Sequence, residues 1–153
     1  MIIEDGIQEF VIDGIDIKVA AVNNLIEEIR IARSGAAGND CGSSLARYFR
    51  DYLHGKTGAF EPALNLGRLT GFQRRVYEAA AAIPFGKTAS YQQVAEKIGG
   101  KRYARAVGTA LSKNPFPIAI PCHRVLPKKA GIDNPGGFAG GTDLKIKLLH
   151  IEK

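Results

Sequence analysis

Hydrophobic and polar residues alternate through the first third of the chain, then switch to helical spacing. Gln8–Asp13 and Ile15–Val22 are β-rich runs separated around Asp13-Gly14, which predicts a hairpin. Leu25–Arg33 carries Ile26, Ile29 and Ile31 among charges and predicts a third strand, though its period is imperfect. The Gly, Ser and Asn content of Ser34–Gly42 predicts a loop. Ser43 or Ser44 then caps a helix in which Leu45, Tyr48, Phe49, Tyr52 and Leu53 recur on one side, and Gly55 stops it. Residues 1–65 are therefore expected to form a small lobe of sheet plus helix.

Residues 55–69 contain three Gly and one Pro and read as a connecting segment. From Thr70 the spacing turns helical. Phe72, Val76, Ala79, Ala80 and Ile83 make one stripe ending at Pro84. Ser90 caps a second helix with Tyr91, Val94, Ala95 and Ile98 on one side, broken by Gly99-Gly100. A third helix is expected from about Arg102 to Lys113, with Ala104, Val107, Gly108 and Leu111 inward, ended by Asn114-Pro115. A final helix, Leu144 to about Ile151, takes Thr142 as its cap. Two short helices around a Gly-containing turn suggest a helix-turn-helix. The expected class is α/β (α+β): an N-terminal antiparallel sheet with a helix over 1–65, and a mainly helical, winged-helix-like domain over 66–153.

Charge sharpens this division. Residues 1–65 carry six Lys/Arg against ten Asp/Glu, a net −4, and residues 66–153 carry fifteen against five, a net +10, which together give +6. A basic second half favours a polyanionic partner, nucleic acid first. With 45% hydrophobic residues the chain can fill a core. No apolar run approaches membrane-spanning length and no charged-then-apolar leader is present, so a soluble, intracellular protein is expected. Cys41 and Cys122 are too few for a disulfide framework, and both are expected reduced.

The richest chemistry lies in Ile118–Val125, where Cys122 stands beside His123 and Arg124 behind the stiff corner of Pro121. Neighbouring cations can lower a thiol pKa enough to populate the nucleophilic thiolate. Alone, the segment also fits a buried structural cysteine. The outer face of the third helix offers Arg102, Arg105, Thr109 and Ser112, with Ala106 and Ala110 flanking. Such a face is cationic and low in bulk, but poor in bidentate base readers, which implies weak sequence preference. A thiol eight residues beyond this helix suggests chemistry on the nucleic acid itself, with the target base rotated out of the stack. Arg105 is long and cationic enough to fill the gap left behind.

An ordered series of motifs now carries a resemblance: Phe72-Gln73…Val76-Tyr77, Ile83-Pro84-Phe85-Gly86, Ser90-Tyr91-Gln92-Gln93-Val94-Ala95, Arg105-Ala106-Val107-Gly108, Asn114-Pro115 and Ile120-Pro121-Cys122-His123-Arg124-Val125. From Phe72 to Glu152 the chain resembles the O6-alkylguanine-DNA alkyltransferases, also called methylated-DNA–protein-cysteine methyltransferases. The first 65 residues match that family only in layout. The resemblance implies direct reversal of damage in double-stranded DNA, with Cys122 taking the alkyl group from O6 of a flipped guanine, once per molecule and with no cofactor. Activity on O4-alkylthymine is left open.

Carried over by position, the resemblance makes His123 the base acting on the thiol through a water, with Glu152 as its orienting carboxylate. On the residues alone, Glu152 would be an exposed side chain beside a flexible terminus. Asn114 would hold the active-site turn and Arg124 would brace it. Tyr91 sits on the core stripe of its helix, and the resemblance adds a role in turning the target nucleotide. The DNA-facing set is Ser90, Tyr91, Arg102, Ala104, Arg105, Ala106, Thr109 and Ser112. An alkyl pocket is expected from Phe138, Gly140, Leu111 and Pro117. Phe138 replaces a tyrosine found in many members, which removes one proton donor, and the small Gly140 implies tolerance of bulky adducts.

Cys41 and His54 are too few for a zinc site, so no metal is expected. No dimerisation element is evident, so a monomer is expected. Two rivals remain: a helix-turn-helix transcription regulator with a structural cysteine, and a thiol hydrolase using Cys122 and His123.

Overall fold

The computed structural model describes residues 1–39, 42–56, 60, 62–129, 131 and 135–153. It divides into two compact units, Met1–Asn65 and Leu66–Lys153. Among the described residues no helix is long and apolar enough to cross a membrane.

The first unit is an antiparallel sheet ordered β1(Gly6–Ile12), β2(Ile15–Val22), β3(Leu25–Arg33). Both hairpin turns are two-residue, with Asp13 and Gly14 at φ 50° and 73° and Asn23 and Asn24 at 52° and 62°. Left-handed values at both central positions match the strand twist, and Asp, Asn and Gly tolerate them. Alternation buries Phe10, Ile12, Ile15, Ile17, Val19 and Ile31 on one face. Helix α1(Ser44–Leu53), whose cap Ser43 accepts from Ala46 N, buries Leu45, Ala46, Phe49, Tyr52 and Leu53. The rings of Phe10 and Phe49 lie 6.4 Å apart. The connecting segment proved less idle than its composition suggests. Ile26 N donates to Ala63 O at 2.8 Å and Asn65 N to Ile26 O at 2.8 Å, so residues 63–65 extend the sheet along β3.

In the second unit, α2(Gly71–Ala81) starts with a Thr70/Gln73 capping box and α3(Tyr91–Ile98) with a Ser90/Gln93 box. The expected third helix is shorter and starts differently. A 3₁₀ turn, Lys101–Tyr103, precedes α4(Ala104–Ser112), because no side chain caps it after the left-handed Gly99 and Gly100. Its inward stripe is Val107, Ala110 and Leu111, so Ala110 belongs to the core and not to the outer face. Tyr77 closes that contact, its hydroxyl donating to Ala110 O at 2.7 Å. Ala104 and Gly108 are half-buried. For the last helix, α5(Thr142–Ile151), the cap is Gly141 and makes no side-chain bond, so Thr142 is its first residue. A short parallel pair went unforeseen: β4(Ala89–Ser90) runs beside β5(Val125–Leu126). It joins the start of α3 to the residues just after Cys122.

Candidate active site

Cys122 opens a 3₁₀ turn, Cys122–Arg124, behind a knot tied by Asn114. The Asn114 side chain donates through Nδ2 to Ile120 O at 2.9 Å and accepts from Phe116 N at 3.0 Å. Ile120 N donates to Phe116 O and Cys122 N to Ile120 O, both at 2.8 Å. Inside this knot Ile118 sits at φ 72°. A β-branched residue is strained there, and strain of this kind persists only where surrounding bonds over-determine the backbone. The knot thus makes a rigid mount for the sulfur.

Cys122 is 8% exposed. It lines a cavity of about 370 Å³ with Tyr91, Gly108, Leu111, Ser112, Gly137, Phe138 and Ala139. Leu111 and Phe138 stand where an alkyl pocket was expected. Gly140 and Pro117 lie outside this wall, Pro117 being buried in the turn that holds Ile118. Gly137, Ala139, Gly108 and Ser112 supply the remaining surface. Burial pushes the Cys122 thiol up, while a hydrogen bond from Asn114, the charge of Lys145 and local backbone N–H groups pull it down.

His123 is fully buried, and its Nε2 lies 2.7 Å from Glu152 Oε1. Glu152 is 4% exposed, contrary to the exposed side chain that local sequence implies. Its carboxylate follows the last turn of α5 into the core because Arg124 also meets it, Nε to Oε2 at 2.8 Å and Nη2 to Oε1 at 3.0 Å. Burial lowers the His123 pKa, Glu152 raises it, and Arg124 and Lys145 lower it further. The net direction is downward, so the resting imidazole is neutral. The carboxylate accepts a hydrogen bond from Nε2–H, which leaves Nδ1 as the basic atom. His150 is exposed and outside this cluster, as helical spacing implies.

Lys145 is the site residue that sequence reasoning missed. It is 1% exposed, and its Nζ donates to Val125 O at 2.9 Å and Gly137 O at 3.3 Å. Desolvation brings its pKa down to about 8, against the pull of Cys122. Its place beside Leu144, with Leu148 and Leu149 one turn on, was the available signal, since these positions share the inward face. Tyr91 is half-buried, with the Lys145 ammonium 5.9 Å from its ring centroid. Burial, then proximity to Cys122, raises the Tyr91 pKa, so the hydroxyl keeps its proton as a donor.

The outer face of α4 carries Arg105, Ala106, Thr109 and Ser112, all exposed, with Arg102 exposed on the preceding turn. Thr109 and Ser112 bond back to the helix, to Arg105 O at 3.2 Å and Thr109 O at 2.7 Å. Arg102 folds over Tyr103, 4.9 Å from its ring centroid. Ser90 is spent on the cap of α3. In the first unit His54 pairs with Asp13 at 2.9 Å, and Cys41 lies outside the described residues.

Residues 71–153 match a protein family described as 6-O-methylguanine DNA methyltransferase, DNA binding domain. The chain is 42% identical over 102 residues to a methylated-DNA–protein-cysteine methyltransferase of Mycobacterium leprae, covering 67% of this chain and 59% of that protein. A protein of the same name from Sulfolobus acidocaldarius is 40% identical over 114 residues, covering 74% and 69%. The match thus spans less than two thirds of the mycobacterial relative. Among solved structures, the Mycobacterium tuberculosis O6-methylguanine methyltransferase superposes with a TM-score of 0.81 at 30% identity, over 96% of this chain and 92% of that one. A structure of Mycobacterium tuberculosis OGT in complex with DNA gives 0.76 at 32% identity, over 90% and 86%.

Proposed function

The chain belongs to the 6-O-methylguanine DNA methyltransferase family, and from that premise we propose that it repairs DNA by moving an alkyl group from O6 of guanine to Cys122. The observation that carries this reading is a cysteine at a cavity wall, beside a buried His123–Glu152 pair and in the same unit as an exposed Arg-bearing helix. A purely structural cysteine needs neither the cavity nor the pair, which disfavours the transcription-regulator reading.

The reaction balances without a cofactor. The thiol proton passes to Nδ1 of His123, by way of a water where the gap requires one. The sulfur lone pair forms the new S–C bond as the C–O6 bond breaks, and the guanine anion takes back a proton. Asn114 and the Lys145 ammonium offset the thiolate charge during the step. Tyr91 is the hydroxyl available to the departing base, since Phe138 has none. A thioether is a poor leaving group, so each molecule acts once. DNA binding and transfer are assigned to residues 66–153, and a soluble protein acting wherever the cell keeps its DNA fits this role. Weighing the protein after mixing with duplex DNA containing O6-methylguanine tests the reading: one added methyl, about 14 Da, is expected. An unchanged mass would refute it, and repeated turnover would point to a hydrolase.

The exposed face of α4, with Arg102 on the turn before it, supports a DNA-facing role for Arg102, Arg105, Ala106, Thr109 and Ser112, with Arg105 entering the gap left by the flipped base, while the half-buried Ala104 flanks that face. Arg105→Ala is expected to weaken binding to alkylated duplex by about tenfold to a hundredfold, as loss of one desolvated contact does. It should slow transfer while leaving thiol reactivity toward a small alkylating reagent unchanged. Repair at the wild-type rate would remove the gap-filling role.

Adduct size is a separate matter. Gly108, Gly137 and Ala139 give the cavity wall nothing larger than a methyl group. Benzyl transfer is therefore expected within about tenfold of methyl transfer under single-turnover conditions, the range of a modest change in pocket contacts. A benzyl rate lower by three orders of magnitude would mean that the wall closes on the adduct.

A further inference from the structure

We propose that Arg124 and the turn Ile83–Gly86 are positioning groups for the base, holding Glu152 ionised and aimed at His123. The inference rests on the reading of Cys122 as alkyl acceptor and extends it to residues that act on the base through Glu152. Both oxygens of Glu152 are occupied twice: Oε1 by His123 Nε2 and Arg124 Nη2, Oε2 by Arg124 Nε and the Gly86 N–H at 3.3 Å. Arg124 is itself fixed by the turn. Its Nη1 donates to Ile83 O at 2.7 Å, and its guanidinium lies 5.8 Å from the Phe85 ring centroid.

Gly86 is required twice over. Its φ is +77°, and a Cβ there would come within 2.8 Å of the Glu152 carbonyl oxygen. A side chain would push Glu152 away from the amide that helps hold its carboxylate.

Four donors on one carboxylate favour its charged form strongly. Glu152 therefore orients His123 without taking its proton. The groups around the imidazole are Lys145 from α5, Glu152 just past its end, and Cys122 and Arg124 on its own turn, while Tyr77 from α2 and Tyr91 from α3 lie near Cys122. Loss of the Arg124 charge acts in one direction by two routes. It lets His123 hold its proton to higher pH, and it lets Glu152 protonate at higher pH and lose its aim. Either route moves the acid limb of the transfer rate upward.

The test is single-turnover transfer from O6-methylguanine duplex by the full chain, across the pH range in which histidine titrates. Arg124→Gln should move the acid limb up by about one pH unit, a tenfold rate loss on the acid side. Arg124→Lys, which keeps a cation but cannot pair side-on, should show a smaller upward shift and serves as the measurement if Arg124→Gln does not fold. A rate lowered equally at all pH values, or a limb unmoved in the folded variants, overturns the clamp. Absence of transfer by the wild-type protein would instead refute the alkyl-acceptor reading.

Discussion

Cys122→Ala is expected to end alkyl transfer entirely while leaving DNA binding in place. Cys122 is the only free cysteine among the described residues, and it alone brings a nucleophile to the cavity wall. No neighbouring group can substitute. Ser112 bonds back to Thr109, the Lys145 ammonium is held by two carbonyls, and Tyr91 keeps its proton. The substitution removes one sulfur at a cavity, so it should cost less than about 1 kcal/mol of stability, unlike removal of a large packed side chain. Mass spectrometry with methylated duplex should show no adduct, and a gel-shift titration should show affinity near wild type. An adduct on the variant would move the chemistry elsewhere. There is also a stability signature. Burial raises the folded-state thiol pKa above its ordinary 9.0, so the folded protein holds the proton more tightly than the unfolded chain. That contribution is fully present below the unfolded pKa and is lost as pH rises through the folded one. Wild type should therefore lose stability relative to Cys122→Ala at alkaline pH.

Removal of Glu152 should produce the second large effect, on both folding and rate. Glu152→Ala strands the buried His123 Nε2 and the half-buried Arg124 guanidinium. Breaking a buried ion pair by deleting one partner costs on the order of 3–5 kcal/mol, because the remaining charge is left desolvated. Glu152→Gln keeps the shape and should cost less. In both, the base loses orientation, and transfer is expected to fall by about 10²–10⁴, the usual worth of a positioned proton acceptor. The pH dependence has a definite sign. Glu152 raises the His123 pKa, so its loss lets that pKa fall further and moves the acid limb down, opposite to the shift expected for Arg124→Gln. A thermal melt and a single-turnover pH series on Glu152→Gln would check both. Wild-type rates in a folded Glu152→Gln would remove the carboxylate from the mechanism.

Much of this was legible because it is local. The capping boxes at Thr70 and Ser90 and the turn at Asp13-Gly14 involve residues within a few positions of each other, and their geometry follows from side-chain chemistry at that range. Ala110 shows where periodicity misled. A nine-residue helix gives too few turns to tell a stripe of Val107, Ala110 and Leu111 from one of Ala104, Val107, Gly108 and Leu111. Small side chains fit either face, and the burial of Ala110, with the Tyr77 hydroxyl on its carbonyl, shows which one is packed.

By itself the sequence determined the two units, their basic and acidic division, the strand and helix order, and a cysteine set between an imidazole and a stiff corner. The family resemblance supplied Glu152 where local spacing did not, and only tertiary structure decided that Lys145 and the Ile83–Gly86 turn join it around that cysteine. The physical reason is that a charge enters the core only where partners from elsewhere in the chain replace its water. Glu152 meets His123 across 29 residues and Gly86 across 66, and Lys145 meets Val125 across 20. Such partners are invisible to spacing and appear only when the chain has closed around them.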